Sequence, residues 1–237
     1  MHTIIYTAAS RGHADFGWLN SWHSFSFGSY FDTERIHFGA LRVLNDDTVA
    51  PGMGFGKHPH DNMEIISIPL EGDLEHGDSM GNMQVIRQGD VQAMSAGTGI
   101  VHSEKNHSRD RPVKFLQIWV LPKTRNMKPR YDQKSFADAE RHNRLLTVVS
   151  PLGSNDGGVQ INQDAWFHLA RLDKDRSLDY RFRQQGNGLY VFVLEGEASI
   201  DGKVLNRRDG MGIEAADAVS ISASSDTDLL LMEIPMI

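Results

Sequence analysis

The chain contains no cysteine, and that single absence removes a whole set of chemistries. Disulfides, thiolate metal ligands and a cysteine nucleophile are all excluded, so a metal site here has to be built from nitrogen and oxygen donors. No segment carries 18 consecutive apolar residues, so no membrane-spanning helix is expected. The opening Met1-His2-Thr3-Ile4-Ile5-Tyr6 has neither a basic start nor a long apolar run, and the expected location is cytoplasmic. An excess of positive charge is also lacking. The formal net charge is −7, and lysine and arginine are scattered rather than gathered into a stripe. This argues against direct binding of nucleic acid or an anionic membrane and in favour of a small ligand.

What is present is a succession of short apolar runs with turn residues between them. In the first half they are Ala40 to Leu44, Glu64 to Leu70, Met83 to Arg87, Val91 to Ser95 and Lys114 to Leu121, with turns at Glu71-Gly72, Gly81-Asn82 and Gly89-Asp90. This is an all-β pattern, and a hairpin meander that closes on itself accounts for the even spacing. Residues 1 to 38 offer an edge strand at Ile4 to Ala8 and then a glycine-punctuated aromatic stretch, read as a long ordered loop. Its rings are expected to cover one end of a barrel rather than to wall a substrate pocket. From Pro122 to Asn143 apolar residues thin out, which marks a linker, with Ser135 as the N-cap of a short helix.

The second half repeats the first in outline. Leu194-Glu195-Gly196-Glu197 echoes Leu70-Glu71-Gly72-Asp73, and the predicted strands follow at comparable intervals. The predicted domains are residues 1–134, binding a metal, and 135–237, degenerate. By the same alignment, the places of His58, His60 and His102 are taken by Phe182, Gln184 and Ile221.

The chemistry concentrates between Gly52 and Asn106. In an extended strand residues i and i+2 share a face, so His58 and His60 project together, and so do His102 and Glu104. A lone His-x-His is weak evidence. Here the glycines of Gly52-Met53-Gly54-Phe55-Gly56 precede it, and the second pair follows Gly97-Thr98-Gly99. Glu64 lies at a further even offset from His60, so Glu64 and Glu104 compete for the carboxylate position. His76 and His107 are expected at the surface, and His168 is expected to be a hydrogen-bonded bystander. Four such donors on a metal that accepts six leave open positions, which suits a working rather than a structural site.

Gly52, His58-x-His60 and Glu64, followed by Gly89 and His102, resemble the two cupin motifs. The spacing departs from the usual one: seven residues separate Glu64 from Gly72, and Ser95 stands where proline is usual. Those departures resemble the pirin family. So do Trp22-His23-Ser24-Phe25-Ser26-Phe27, Leu41-Arg42-Val43-Leu44-Asn45-Asp46-Asp47, Met94-Ser95-Ala96-Gly97-Thr98-Gly99-Ile100 and Val101-His102-Ser103-Glu104. The match is dense over residues 11–121. The resemblance implies a bicupin, two face-to-face β-barrels of jelly-roll type. It implies metal ligands His58, His60, His102 and Glu104, with Glu64 demoted to an outer position.

The resemblance further implies a quercetinase-like dioxygenase that cleaves a flavonol with dioxygen and releases carbon monoxide, Glu104 taking the substrate proton. The cofactor is one divalent transition metal, iron first, with manganese, nickel, cobalt, copper and zinc also compatible. The alternative is a redox-responsive, non-enzymatic regulator acting through a protein partner. A sugar-phosphate isomerase ranks last, because Lys57 is the only basic residue in the first motif.

Overall fold

A computed structural model describes all residues from 1 to 237. Almost every regular element is a strand, and the strands form four sheets arranged as two sandwiches. In the first sandwich a seven-stranded sheet runs in the order Arg130–Ser135, Asp90–Ser95, Glu64–Glu71, Val113–Val120, Leu41–Val49, Leu19–His23 and Gly12–Asp15. Its partner is a four-stranded sheet in the order Gly54–His60, Ile100–Asn106, Leu74–Asp78 and Met83–Ile86. The second sandwich repeats this plan with seven strands and four. The all-β, jelly-roll bicupin architecture therefore holds, each barrel being a pair of facing sheets.

The connectivity differs from the expected meander. Leu41–Val49 lies in the large sheet, Gly54–His60 in the small one, Glu64–Glu71 in the large one and Leu74–Asp78 in the small one again. The chain crosses between sheets at almost every turn, as a jelly roll requires. The stretch read as one long loop also contains a hairpin, Gly12–Asp15 with Leu19–His23, at the edge of the large sheet. Arg130–Ser135, inside the expected linker, is an edge strand on Asp90–Ser95. Ser135 caps no helix. Its hydroxyl bonds Asp90, and the only helical turn nearby is a short one at Asp138–Glu140.

The N-terminal strand departs most from the expected domain division. His2–Tyr6 pairs antiparallel with Gly210–Glu214, so residues placed with the first half complete the large sheet of the second. The two large sheets then pack against each other through one apolar cluster of 26 buried residues. It includes Ile66, Ile68, Leu116 and Ile118 from the first half and Phe167, Phe192, Leu230 and Met232 from the second. Strands buried on both faces read as nearly continuous apolar runs, as in Asn187–Glu195 and Thr227–Pro235. At the rim of this interface Asp46 accepts from Arg11 at 3.3 Å and from Arg208 at 2.9 Å, all three side chains being largely buried.

The interior of the second sandwich is a separate aliphatic cluster that includes Ile221, with Phe182 packed against it. Gln184 is exposed and only its backbone is engaged, its N–H by Glu233 and its carbonyl by the Asn187 N–H. No metal-capable group occupies any of these three positions.

Because the halves share one core, Leu230→Ala should lower stability by about 2–5 kcal/mol. The loss should be felt by both halves in a single unfolding transition. Trp18, Trp22 and Trp119 report on the first half and Trp166 on the second. Fluorescence from the first three that does not shift with the variant would show that the halves unfold independently.

Candidate metal centre

Strand alternation and one bulge place the site. On Ile100–Asn106 the residues Ile100, His102, Glu104 and Asn106 are buried, and Val101, Ser103 and Lys105 between them face outward or are only half-buried. His102 lies opposite His58 on the neighbouring strand, but Glu104 lies opposite Phe55, so Gly54–His60 carries one extra residue between the two pairs. The bulge keeps Phe55 and His58 on the inner face together. Gly54 is required for this approach, since a Cβ there would sit 2.3 Å from the backbone oxygen of Glu104.

His58, His60 and His102 meet inside the first sandwich, with their ligating nitrogens all within 4.8 Å of one another. Ring centroids are 4.4 Å apart for His58 and His102 and 4.9 Å for His60 and His102. His58 Nδ1 donates to the Gly56 carbonyl at 2.8 Å, which fixes the tautomer and leaves Nε2 as a bare lone pair. Both nitrogens of His102 are buried without a partner. Burial lowers His60 to about 4 and His102 to about 2, helped in each case by the neighbouring imidazoles. These two rings are therefore neutral at ordinary pH. Neutral imidazoles with unpaired nitrogens, grouped at this spacing, suit a divalent metal.

Glu104 opens onto the same cavity. Its carboxylate accepts from Ser67 Oγ at 3.0 Å and from Gln117 Nε2 at 2.6 Å. Burial raises its pKa to about 7 against the lowering effect of those two bonds. The other candidate carboxylate is elsewhere. Glu64 shares its strand face with Ile66 and Ile68, toward the second half, and accepts from Ser95 Oγ at 2.5 Å and the Asn162 backbone N–H at 3.1 Å. The outer-sphere role expected for Glu64 is thus replaced by a tie between the two halves.

His76 also departs from expectation. It is buried, its ring centroid lies 5.3 Å from that of His102, and neither nitrogen has a partner. His107 is at the surface and pairs with Glu75, while His168 is buried against Thr147 and Tyr180.

The cavity holding the imidazoles has a volume of about 570 Å³. Its walls include Phe16, Trp18, Phe27, Phe55 and Trp119, so part of the N-terminal aromatic stretch does wall a pocket. Other rings of that stretch serve packing, Phe25 lying against Tyr6 and Tyr190 between the halves. Sequence reasoning missed the polar residues of the cavity floor: Ser21, His23, Asn45, Asp47 and Gln117. The available signal was a single polar residue, or an alternating pair, inside each apolar strand.

A bicupin with one imidazole-lined cavity in its first half is the class that fold and site define. The chain belongs to the pirin family. The Pirin family description matches residues 6–120, and that of the quercetinase C-terminal cupin domain matches residues 147–234. A protein of Escherichia coli (strain K12) named quercetin 2,3-dioxygenase is 42% identical over 228 residues, 96% of each chain. A pirin-like protein of Caulobacter vibrioides is 37% identical over 222 residues, covering 94% of this chain and 95% of its own. The crystal structure of the bacterial pirin YhhW from Escherichia coli in complex with nickel(II) superposes with a TM-score of 0.94. It is 39% identical and covers 100% of both chains. The chain thus shares its fold with a metal-bound relative and carries an imidazole cluster able to hold a divalent metal.

If the three imidazoles act together, His58→Ala, His60→Ala and His102→Ala should each weaken nickel binding by more than about 100-fold, beyond the loss usual for an outer partner. Glu64→Gln should leave nickel affinity unchanged and lower thermal stability. Calorimetric titration and thermal unfolding of the same samples check both, and a nickel-binding defect in Glu64→Gln would contradict its placement.

Proposed function

We propose that the protein is a metal-dependent dioxygenase that opens the heterocycle of a flavonol such as quercetin, with release of carbon monoxide. His58, His60, His102 and Glu104 are the ligands in this reading, and Glu104 is also the base. The observation that carries it is one cavity that brings three imidazoles within 4.8 Å of one another beside a buried carboxyl and aromatic walls. The relatives named quercetin 2,3-dioxygenase, covered over nearly their whole length, support the same reading.

When bound, the divalent metal supplies Lewis acidity toward the substrate's 3-oxygen and 4-carbonyl and a seat for redox chemistry with dioxygen. The donor set, three nitrogens and an oxygen without sulfur, is compatible with iron, placed first here, and with manganese, nickel, cobalt, copper and zinc. The chain's own residues do the rest. Glu104, on the same strand face as His102 and open to the cavity, takes the proton of the 3-hydroxyl. Ser67 and Gln117 hold the carboxylate in place while it does so. Trp119, with Phe27 edge-on to it at 5.4 Å, offers flat apolar surface to the rings. The aromatic walls make the surroundings of the reactive flavonolate largely apolar.

Protein loaded separately with each candidate metal should consume dioxygen with quercetin and evolve carbon monoxide in at least one form, and His58→Ala should do neither. Full metal loading of every form without turnover above that variant would exclude the activity. The pH dependence of metal binding follows from the same groups. As pH falls through about 7, Glu104 gains a proton and the site loses its anionic donor, while His60 and His102 stay neutral down to about 4 or below. Nickel affinity should therefore fall as pH is lowered from 8 to 5.5. Glu104→Gln should flatten that fall, and an unchanged fall would remove Glu104 from the ligand set.

A further inference from the structure

The metal cavity holds more polar machinery than this chemistry uses. On its floor a row of side chains crosses neighbouring strands in register: His23 opposite Asn45, Asn45 opposite Gln117, Gln117 opposite Ser67. Glu104 engages the Gln117 and Ser67 end. At the other end Ser21 Oγ bridges His23 Nε2, at 2.8 Å, and Asp47 Oδ1. His23 Nδ1 and Asn45 Oδ1 are buried there with no partner at all. Ser21, His23, Asn45 and Asp47 are each more than nine-tenths buried, and each lines the cavity.

An unpaired polar atom in a protein interior is destabilising, and two on directly opposed residues that line a cavity are matched by a ligand that brings two donors. Hydrogen-bond chemistry defines which kind. With Asp47 ionised, Ser21 gives its one proton to the carboxylate and accepts from His23 Nε2–H. His23 Nδ1 is then a bare acceptor beside a second acceptor, Asn45 Oδ1. Two adjacent acceptors match two adjacent hydroxyl donors. From Gln117 to His23 the row covers two inter-strand steps, about 10 Å, which a three-ring flavonol spans.

We propose that His23 and Asn45, held by Ser21 and Asp47, form the subsite that selects a vicinal dihydroxyl ring at the end of the aromatic substrate away from Glu104. This rests on the flavonol reading above and specifies which hydroxyls are recognised. The arrangement His23–Ser21–Asp47 is a positioning chain. The serine sits in its middle with both polar directions engaged, so it is no nucleophile.

The test is anaerobic binding at pH 8, read by quenching of Trp18 and Trp119 in the nickel-loaded protein. The ligands are quercetin and galangin, a flavonol that differs only in lacking both hydroxyls of the pendant ring. The native protein should bind quercetin about 10-fold more tightly, the effect of two neutral hydrogen bonds. Asn45→Leu and Ser21→Ala should each bring that ratio toward one by weakening quercetin alone, with nickel stoichiometry and galangin affinity kept. Ser21→Thr, which retains the hydroxyl, should preserve the ratio. A native ratio near one, a ratio unmoved in both variants, or failure to bind either flavonol would overturn the proposal. Oxygen uptake is scored separately. Discrimination without turnover sinks the dioxygenase reading alone, and turnover without discrimination sinks the subsite alone.

Discussion

The structure depends on the packing of two seven-stranded sheets against each other. That contact buries one face of every central strand in both halves, and Ile66, Leu116, Phe192 and Leu230 all contribute to it. It frees the opposite face from having to be apolar. In the second sandwich that face is mostly aliphatic, with His168 and Glu233 among its few polar groups, but in the first it carries Asn45, Asp47, Ser67, Gln92 and Gln117. Each unpaired buried polar group costs about 1–3 kcal/mol, and Gln92, His76 and His102 leave several such atoms. A half this polar inside would be marginal alone. The shared interface, with His2–Tyr6 exchanged into the second sheet, offsets that cost.

The imidazole pairs were legible because they combine a rare residue type with a spacing that survives folding. His58 and His60, and His102 and Glu104, each sit within one strand with the bulge falling outside the pair, so parity holds. Parity failed for Glu64 for a local reason. Between His60 and Glu64 the chain passes through Asn62 at φ 45°, a left-handed turn that carries it from the small sheet to the large one. An even count across such a turn says nothing about faces. His76 was misread because its neighbours Glu75 and Gly77 look solvent-facing, although Leu74 and His76 alternate inward.

Other features were illegible because they are contacts between distant segments. Arg-Tyr-Asp-Gln-Lys-Ser at 130–135 has the composition of a linker, and it is also what an exposed edge strand carries to discourage pairing with other chains. Nothing in His2–Tyr6 indicates which half it joins. The polar floor of the cavity is the most instructive miss. Ser67 within Ile-Ile-Ser-Ile and Gln117 within Phe-Leu-Gln-Ile each look like an isolated lapse in an apolar run. Only the register, which sets Gln117 opposite both Ser67 and Asn45, turns separate lapses into one row.

The second half shows what the same scaffold does without a metal site. Its buried Glu233 accepts from the Tyr180 hydroxyl at 2.6 Å, the Arg183 and Gln184 backbone N–H groups and Asn187 Nδ2, so its acceptor capacity is taken up by the protein itself. Glu104 is equally buried but has only two partners, both side chains on the opposing sheet. A carboxylate whose oxygens accept from four protein donors has no acceptor position left for a ligand. One held by a hydroxyl and an amide, beside imidazoles with free nitrogens, keeps a pKa near neutrality and lone pairs to spare. The two sandwiches have nearly the same strand plan, so the difference between an imidazole-lined cavity and a packed core lies in the inward-facing side chains: His58, His60, His102 and a carboxylate with lone pairs to spare in the first, Ile221 with Phe182 packed on its cluster and a fully engaged carboxylate in the second.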